Sequence, residues 1–98
     1  MNVIQEKNGN ELLLKLEGRL DTTTAPNLDE VLAAELDGIQ KLIFDFSSLE
    51  YLSSAGLRSL LSAQKKMNAQ GSMIIKNVSE MISEIFEVTG FSDILTIE

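Results

Sequence analysis

The chain has 98 residues, of which 44% are hydrophobic and 23% are charged. This length excludes a multidomain enzyme because a single core usually takes about 100–150 residues, and the composition excludes a disordered tail. We therefore expect residues 1–98 to form one globular domain.

Fifteen acidic residues against eight basic ones give a formal net charge of −7. A negative field of this kind repels phosphate backbones and anionic lipids, so nucleic acid is not an expected partner. The charges are unevenly distributed. Residues 1–49 hold nine acids and four bases, whereas residues 51–79 hold four bases and no acid, which predicts a locally positive face.

The sequence contains neither cysteine nor histidine. Disulfides and thiolate metal sites are therefore excluded, and the usual general base near neutral pH is missing together with the Ser-His-Asp triad. We expect neither an enzyme nor a bound metal or other cofactor. The N-terminus lacks the basic start and apolar core of a signal peptide, so we expect a cytoplasmic protein without membrane insertion.

The first elements are predicted to be a β-hairpin and a helix. Residues 3–7 and 11–17 resemble strands, and the Asn-Gly-Asn sequence at 8–10 is typical of a tight turn between them. The threonines at 22–24 are suited to helix capping, and Pro26 fits the first helical turn. The apolar stripe of this helix and the glycine that ends it are Leu28, Val31, Leu32, Leu36 and Gly38.

A buried parallel strand is predicted over residues 41–46, followed by a connector over residues 47–52. Ser53 is expected to be the N-cap of a second helix, with Ser54 as its first residue and Gly71 at its end. The inner stripe of this helix is Leu57, Leu60, Leu61, Gln64 and Met67, and its outer stripe is Arg58, Ser62 and Lys65.

A strand over residues 72–76, a third helix capped by Asn77 or Ser79 and ended by Gly90, and a strand over residues 93–97 complete the prediction. The side chains expected to face inward from the third helix are Met81, Ile82, Ile85 and Phe86. The order ββαβαβαβ with right-handed crossovers predicts an α/β fold in which helices cover a small mixed, mostly parallel sheet.

Ligands of an open α/β sheet bind where the parallel strands end at their carboxyl side. Two such segments carry acids and hydroxyls: Asp21, Thr22 and Thr23 after the second strand, and the stretch from Asp45 to Ser54 after the third. We expect them to meet at one rim. The hydroxyl of Ser54 would then lie beside backbone N–H groups without intrahelical acceptors, which favour an anion.

Each of these features also has a plain structural interpretation. Serines at a helix start are usually caps, and Asp21 can be a turn residue. Gly56 can let the second helix pack tightly on the sheet rather than admit a partner. The outer stripe of Arg58, Ser62 and Lys65 can be an ordinary solvated face. The residues alone leave these alternatives open.

Three segments together carry a more specific signal: residues 18–22 (Gly-Arg-Leu-Asp-Thr), residues 42–57 (Leu-Ile-Phe-Asp-Phe-Ser-Ser-Leu-Glu-Tyr-Leu-Ser-Ser-Ala-Gly-Leu) and residues 89–91 (Thr-Gly-Phe). They resemble the STAS domain in its bacterial anti-sigma-factor antagonist branch. The resemblance extends over nearly the whole chain and implies the STAS fold, which agrees with the element order above.

The resemblance implies a partner switch. An unmodified antagonist of this family binds an anti-sigma factor that is also a serine kinase. Phosphorylation of a serine at the start of the second helix ends that binding, and a serine phosphatase restores it. Ser54 matches this serine, but family members often have aspartate where this chain has Ser53, so Ser53 is a second candidate. The expected partner-binding residues are Asp21, Thr22, Thr23, Ser53, Ser54, Gly56 and Arg58.

Two other functions are also to be compared with the sequence pattern. A STAS interaction subunit of a transporter or of a larger signalling assembly would use the same rim without any modification, and the fold alone does not separate it from the switch. An enzyme is disfavoured, because the Ser-x-x-Lys pattern at residues 62–65 lies inside a predicted helix and lacks its companion motifs. The sequence contains no Walker loop and no Gly-rich dinucleotide motif that would indicate nucleotide binding.

Overall fold

The chain opens with two strands and then alternates helices with strands. The computed structural model describes all 98 residues. The elements are β1 (Asn2–Asn8), β2 (Glu11–Leu20), α1 (Ala25–Glu35), β3 (Lys41–Leu52), α2 (Ser54–Gln70), β4 (Ser72–Lys76), α3 (Glu80–Thr89) and a short 3₁₀ helix (Phe91–Asp93). None of the helices combines the length and the hydrophobicity that crossing a membrane would require.

The four strands form one sheet in the order β1-β2-β3-β4. β1 pairs with β2 in antiparallel fashion, and β2, β3 and β4 are parallel to one another. Gly9 has φ +64° at the first position of the two-residue hairpin loop, a conformation that glycine adopts without strain. The mixed, mostly parallel sheet that we predicted is therefore confirmed.

All three helices pack against one face of the sheet. Alternate strand residues such as Leu14, Phe44 and Ile75 are fully buried and join the helices in one core of 23 residues. The ring of Phe46 lies 5.9 Å from that of Phe44 and 6.5 Å from that of Phe86, so β3 and α3 are in direct contact. The predicted inner residues of α2 are buried except for Leu61, which is half-buried.

The prediction of a connector over residues 47–52 is wrong, because β3 continues through them to Leu52. Glu17 pairs with Ser48 and Leu20 with Leu52, with register shifts between Lys15 and Glu17 and between Gly18 and Arg19. These irregularities interrupt the two-residue alternation of buried side chains, which is the sequence signal of a strand. The extension carries the end of β3 to the edge where β2 also ends.

The predicted last strand over residues 93–97 is reduced to a single parallel bridge between Ile75 and Ile97. Gly90 ends α3 at φ +80°, the 3₁₀ helix includes Asp93, and Ile94 and Leu95 lie in a turn and a bend, so only the last residues of the segment reach β4. The inward orientation predicted for Met81 is also wrong, because its side chain is 48% exposed. Ser79 rather than Asn77 caps α3 by accepting a hydrogen bond from the Ile82 N–H at 3.3 Å.

Candidate functional site

The carboxyl ends of β2 and β3 lie next to each other. Leu20 and Leu52 pair in register, and the N–H of Ser53 donates to the carbonyl oxygen of Leu20 at 2.9 Å. The residues that follow the two strands, Asp21 and Ser53, therefore leave the sheet side by side. The structure thus brings the Asp21 loop and the start of α2 to one edge, which we call the rim.

The two serines at the start of α2 have different environments. Ser53 is the half-buried N-cap, and its hydroxyl oxygen accepts from the N–H of Gly56 at 3.5 Å. Ser54 is the first helical residue, and its exposed side chain takes no part in this cap. The first turn contains no acidic residue, so the positive end of the helix dipole has no charged partner within its own turn. The Ser54 hydroxyl is accessible in an environment that favours an anion.

Gly56 is buried beneath this turn. A Cβ atom at Gly56 would lie 2.6 Å from the Leu52 Cδ1 atom and 2.7 Å from the Leu20 Cγ atom. The close approach to its backbone therefore comes from the ends of β2 and β3 and not from outside the molecule. Gly56 was expected to bind a partner, but as a buried residue it offers no surface and instead lets α2 lie directly on the strand ends.

The Asp21 carboxylate organises the loop between β2 and α1. Its Oδ1 atom accepts hydrogen bonds from the N–H and hydroxyl of Thr23 at 3.0 and 2.7 Å and from the N–H of Thr24 at 3.2 Å. The hydroxyl of Thr23 is the main reason that the pKa of Asp21 is lowered. Asp21 therefore holds the turn after β2 through its Oδ1 atom, which leaves its Oδ2 atom beside Arg19.

Arg19 and Tyr51 belong to the rim but were not found by sequence reasoning. The two residues are paired across β2 and β3, and the Arg19 guanidinium lies 4.3 Å from the centre of the Tyr51 ring. The Nε atom of Arg19 also lies 3.8 Å from the Oδ2 atom of Asp21. Finding this cluster from the sequence would have required the register of β3 beyond residue 46.

A groove of about 560 Å³ between α1 and α2 begins at the rim. Thr22 and Ala55 line it at the rim, and Arg58 follows one turn further along α2. Ser62 and Lys66 continue the α2 wall, so Arg58 and Ser62 of the predicted outer stripe face a concave surface, whereas Lys65 does not line it. Thr22 and Arg58 thus line the same groove.

Asp45 does not belong to the rim. It pairs with Lys15 and Lys76 in the middle of the sheet, seven residues before β3 ends, which corresponds to about 20 Å of strand. Partial burial raises its pKa, but hydrogen bonds from the Asn77 amide at 3.0 Å and the Ser47 N–H at 2.9 Å outweigh that effect. The resulting pKa is below the ordinary value.

The rim combines a hydroxyl group with a carboxylate of lowered pKa. The lowered pKa of Asp21 makes its carboxylate a weaker base, which is the opposite of what a general base near neutral pH needs. No three side chains of the types that hold metal ions come together anywhere in the molecule. The exposed groups around the rim are the Ser54 hydroxyl and the side chains of Thr22, Tyr51 and Arg58.

Comparison with known proteins places the chain in a family. The STAS domain family model matches residues 2–98. BtrV of Bordetella bronchiseptica, described as an anti-sigma factor antagonist, is 31% identical over an alignment that covers 99% of this chain and 85% of BtrV. The anti-sigma-B factor antagonist of Staphylococcus aureus is 32% identical, with 84% of this chain and 78% of that protein covered.

Solved structures agree with this assignment at the level of the fold. The anti-sigma factor antagonist SpoIIAA in its unphosphorylated form superimposes with a TM-score of 0.79 at 18% identity, covering 99% of this chain and 87% of SpoIIAA. The phosphorylated form of SpoIIAA from Bacillus gives a TM-score of 0.78, also at 18% identity, and covers 99% and 91%. The chain therefore belongs to the STAS domain family, where its relatives include proteins named as anti-sigma factor antagonists.

Proposed function

We propose that this protein is a cytoplasmic anti-sigma factor antagonist whose rim binds an anti-sigma factor with serine kinase activity. Phosphorylation of Ser54 by that kinase ends the complex, and a serine phosphatase restores it. The observation that carries the proposal is the exposed Ser54 hydroxyl at the positive end of α2, directly beside the Asp21 loop. The antagonist needs no catalytic group of its own, because the kinase supplies nucleotide and metal.

Ser54 is favoured over Ser53 as the phosphate acceptor. The hydroxyl of Ser53 accepts a hydrogen bond from the N–H of Gly56, and Ser53 is half-buried. A kinase would have to break this cap to reach it. Ser54 is exposed and free of the cap, so its phosphorylation leaves the start of α2 intact.

The phosphate acts by adding charge where the complex forms. It carries about −1.5 to −2 charges, and the helix dipole stabilises a negative charge there by about 0.3–1 kcal/mol, so the modified protein stays folded. An unpaired anion or a like-charge contact buried in an interface costs about 2–5 kcal/mol. That cost corresponds to a loss of affinity of roughly 30-fold to several thousand-fold.

The relatives support a role of this kind. BtrV and the Staphylococcus aureus protein are described as anti-sigma factor antagonists, and both resemble this chain along most of its length. SpoIIAA, which has the same fold, exists in phosphorylated and unphosphorylated forms. A phosphorylation cycle is therefore compatible with this architecture.

The proposal is tested with the cognate anti-sigma factor kinase and Mg-ATP, followed by mass spectrometric mapping of the phosphate. We expect phosphate on Ser54 of the wild type, normal incorporation into Ser53→Ala and none into Ser54→Ala. In calorimetry with the same kinase, Ser54→Asp should bind at least about 30-fold more weakly than Ser54→Ala. A chain that binds the kinase without accepting phosphate on either serine would be a non-switching STAS subunit, and the switch would be wrong.

A further inference from the structure

The exposed apolar side chains of this protein are concentrated near its C-terminus. Five large apolar residues are exposed, and three of them lie in α3 and the segment after it: Met81 at 48%, Val88 at 85% and Ile94 at 49%. The other two, Ile4 and Tyr51, lie on different strands. Single exposed apolar residues need no explanation, whereas a group of them marks an interaction site.

The residues of α3 form a continuous stripe. Met81, Ile85 and Val88 are spaced i, i+4 and i+7, so they share one side of the helix. Ile82 and Phe86 lie next to this side and are fully buried in the core. Ile85 is partly buried against the core, whereas Met81 and Val88 are exposed, so the apolar arc of α3 is wider than the core covers. We call Met81, Ile85 and Val88 the α3 stripe.

Acidic residues border this stripe and have no basic neighbour in sequence. Residues 77–98 contain five acids and no lysine or arginine. Glu80, Glu84 and Glu87 are exposed on α3 at the same i, i+4 and i+7 spacing, on the flank of the stripe. None of them takes part in the three ion pairs of the molecule, which join other residues. The flank is therefore an uncompensated negative surface.

We propose that the α3 stripe binds a cationic amphipathic helix of another protein, in which an apolar face is bordered by lysine or arginine. The apolar face covers Met81, Ile85 and Val88, and the basic residues pair with Glu80, Glu84 and Glu87. This is helix-to-helix docking with complementary charge along one edge. The surface shares no residue with the rim.

A second copy of this chain does not offer the complementary surface. A symmetric pairing through α3 sets glutamates against glutamates, which is unfavourable. The basic span, residues 51–79, exposes Arg58, Ser62 and Lys65 on α2, a stripe without large apolar side chains. The basic face of the protein thus supplies charge but not the apolar contact that α3 requires.

The test titrates the full-length protein, labelled with ¹⁵N, with two synthetic helical peptides that carry the same leucine stripe. One peptide has lysine on both flanks and the other has glutamate. We expect the lysine peptide to shift amide signals of residues 80–89 and to bind at least about tenfold more tightly than the glutamate peptide. Shifts centred elsewhere, equal binding of both peptides or no binding would overturn the proposal.

Surface variants connect the binding to the stripe. Val88→Gln and Met81→Gln change exposed helical positions and are expected to fold normally, yet each should weaken the lysine peptide severalfold. Lys65→Gln on α2 is the matched control and should leave the affinity unchanged. Glu84→Lys should reverse part of the preference between the two peptides. If Val88→Gln binds as the wild type does, the stripe is not the site.

Sedimentation velocity over a range of protein concentrations tests whether a second copy of this chain covers the α3 stripe instead. We expect a monomer for the wild type and for Val88→Gln. A wild-type dimer that dissociates on Val88→Gln substitution would show that the stripe is covered by a second copy, which overturns the proposal of a different partner. The stripe test uses no kinase and no phosphate, so its result is independent of the proposed switch at Ser54.

Discussion

Helices α2 and α3 begin in the same way and then differ. Each follows a parallel strand, and each is capped by a serine whose hydroxyl oxygen accepts from the N–H three residues later, at 3.5 Å for Ser53 and 3.3 Å for Ser79. The first helical residue is Ser54 in α2 and Glu80 in α3. The third helical residues are Gly56 and Ile82, the first a glycine and the second a large apolar residue.

These differences bear on the proposed switch, which adds a negative charge at only one of the two helix starts. At the third position, Gly56 lets α2 lie against Leu20 and Leu52, whereas Ile82 fills the space beneath α3. At the first position, the Glu80 carboxylate already lies near the positive end of the α3 dipole. The start of α2 has a neutral hydroxyl instead, so a negative charge can be added there later.

The largest expected effect is at the third position of α3. Ile82→Ala removes a fully buried side chain and leaves a cavity, so we expect the free energy of unfolding to fall by about 2–5 kcal/mol. Denaturant unfolding followed by circular dichroism measures it. Met81→Ala, at the exposed neighbouring position, is the control and should change stability by less than about 0.5 kcal/mol. Equal losses would mean that α3 does not depend on burial at its third position.

At the third position of α2, the corresponding experiment adds a side chain instead of removing one. Gly56→Val places branched carbons where Leu20 and Leu52 already lie, so we expect a loss of about 1–3 kcal/mol. Gly56→Ala should cost less, because the leucine side chains can move and alanine gains about 1 kcal/mol of helix propensity. Ser62→Val, exposed on the same helix, controls for the propensity of valine. A Gly56→Val protein as stable as the wild type would contradict the tight contact.

The caps predict a difference between the two adjacent serines. Ser53→Ala and Ser79→Ala should each destabilise the protein by about 0.5–2 kcal/mol, because each leaves an N–H in the first turn without its acceptor. Ser54→Ala should have almost no effect on stability. Ser53→Asp should keep the cap, because an aspartate oxygen can accept the same hydrogen bond, and it should therefore leave stability close to that of the wild type. Thermal unfolding of the four variants makes the comparison, and a large loss in Ser54→Ala would contradict a free hydroxyl.

Local signals explain which parts of this arrangement the sequence reveals. Ser53 and the three residues after it can be recognised as a helix start because capping depends on residues close in sequence. The cluster of Arg19 on Tyr51 depends instead on strand pairing after two register shifts, which no short pattern encodes. The prediction of a last strand is wrong for a related reason. Gly90 and the 3₁₀ helix change the direction of the chain, and this change depends on backbone geometry that the apolar pattern of the segment does not encode.

The smallest expected effect tests the charge difference between the two helix starts. Ser54→Glu gives α2 the first residue that α3 has, so we expect stability to rise by about 0.3–1 kcal/mol at low ionic strength. Glu80→Gln should lower it by a similar amount, and added salt should reduce both changes because the two sites are exposed. Differential scanning calorimetry at low and high salt measures the shifts. If Ser54→Glu destabilised the fold at low salt, a negative charge at Ser54 would be unfavourable to the helix. The phosphate would then destabilise the start of α2, and the switch would have to act by unfolding it.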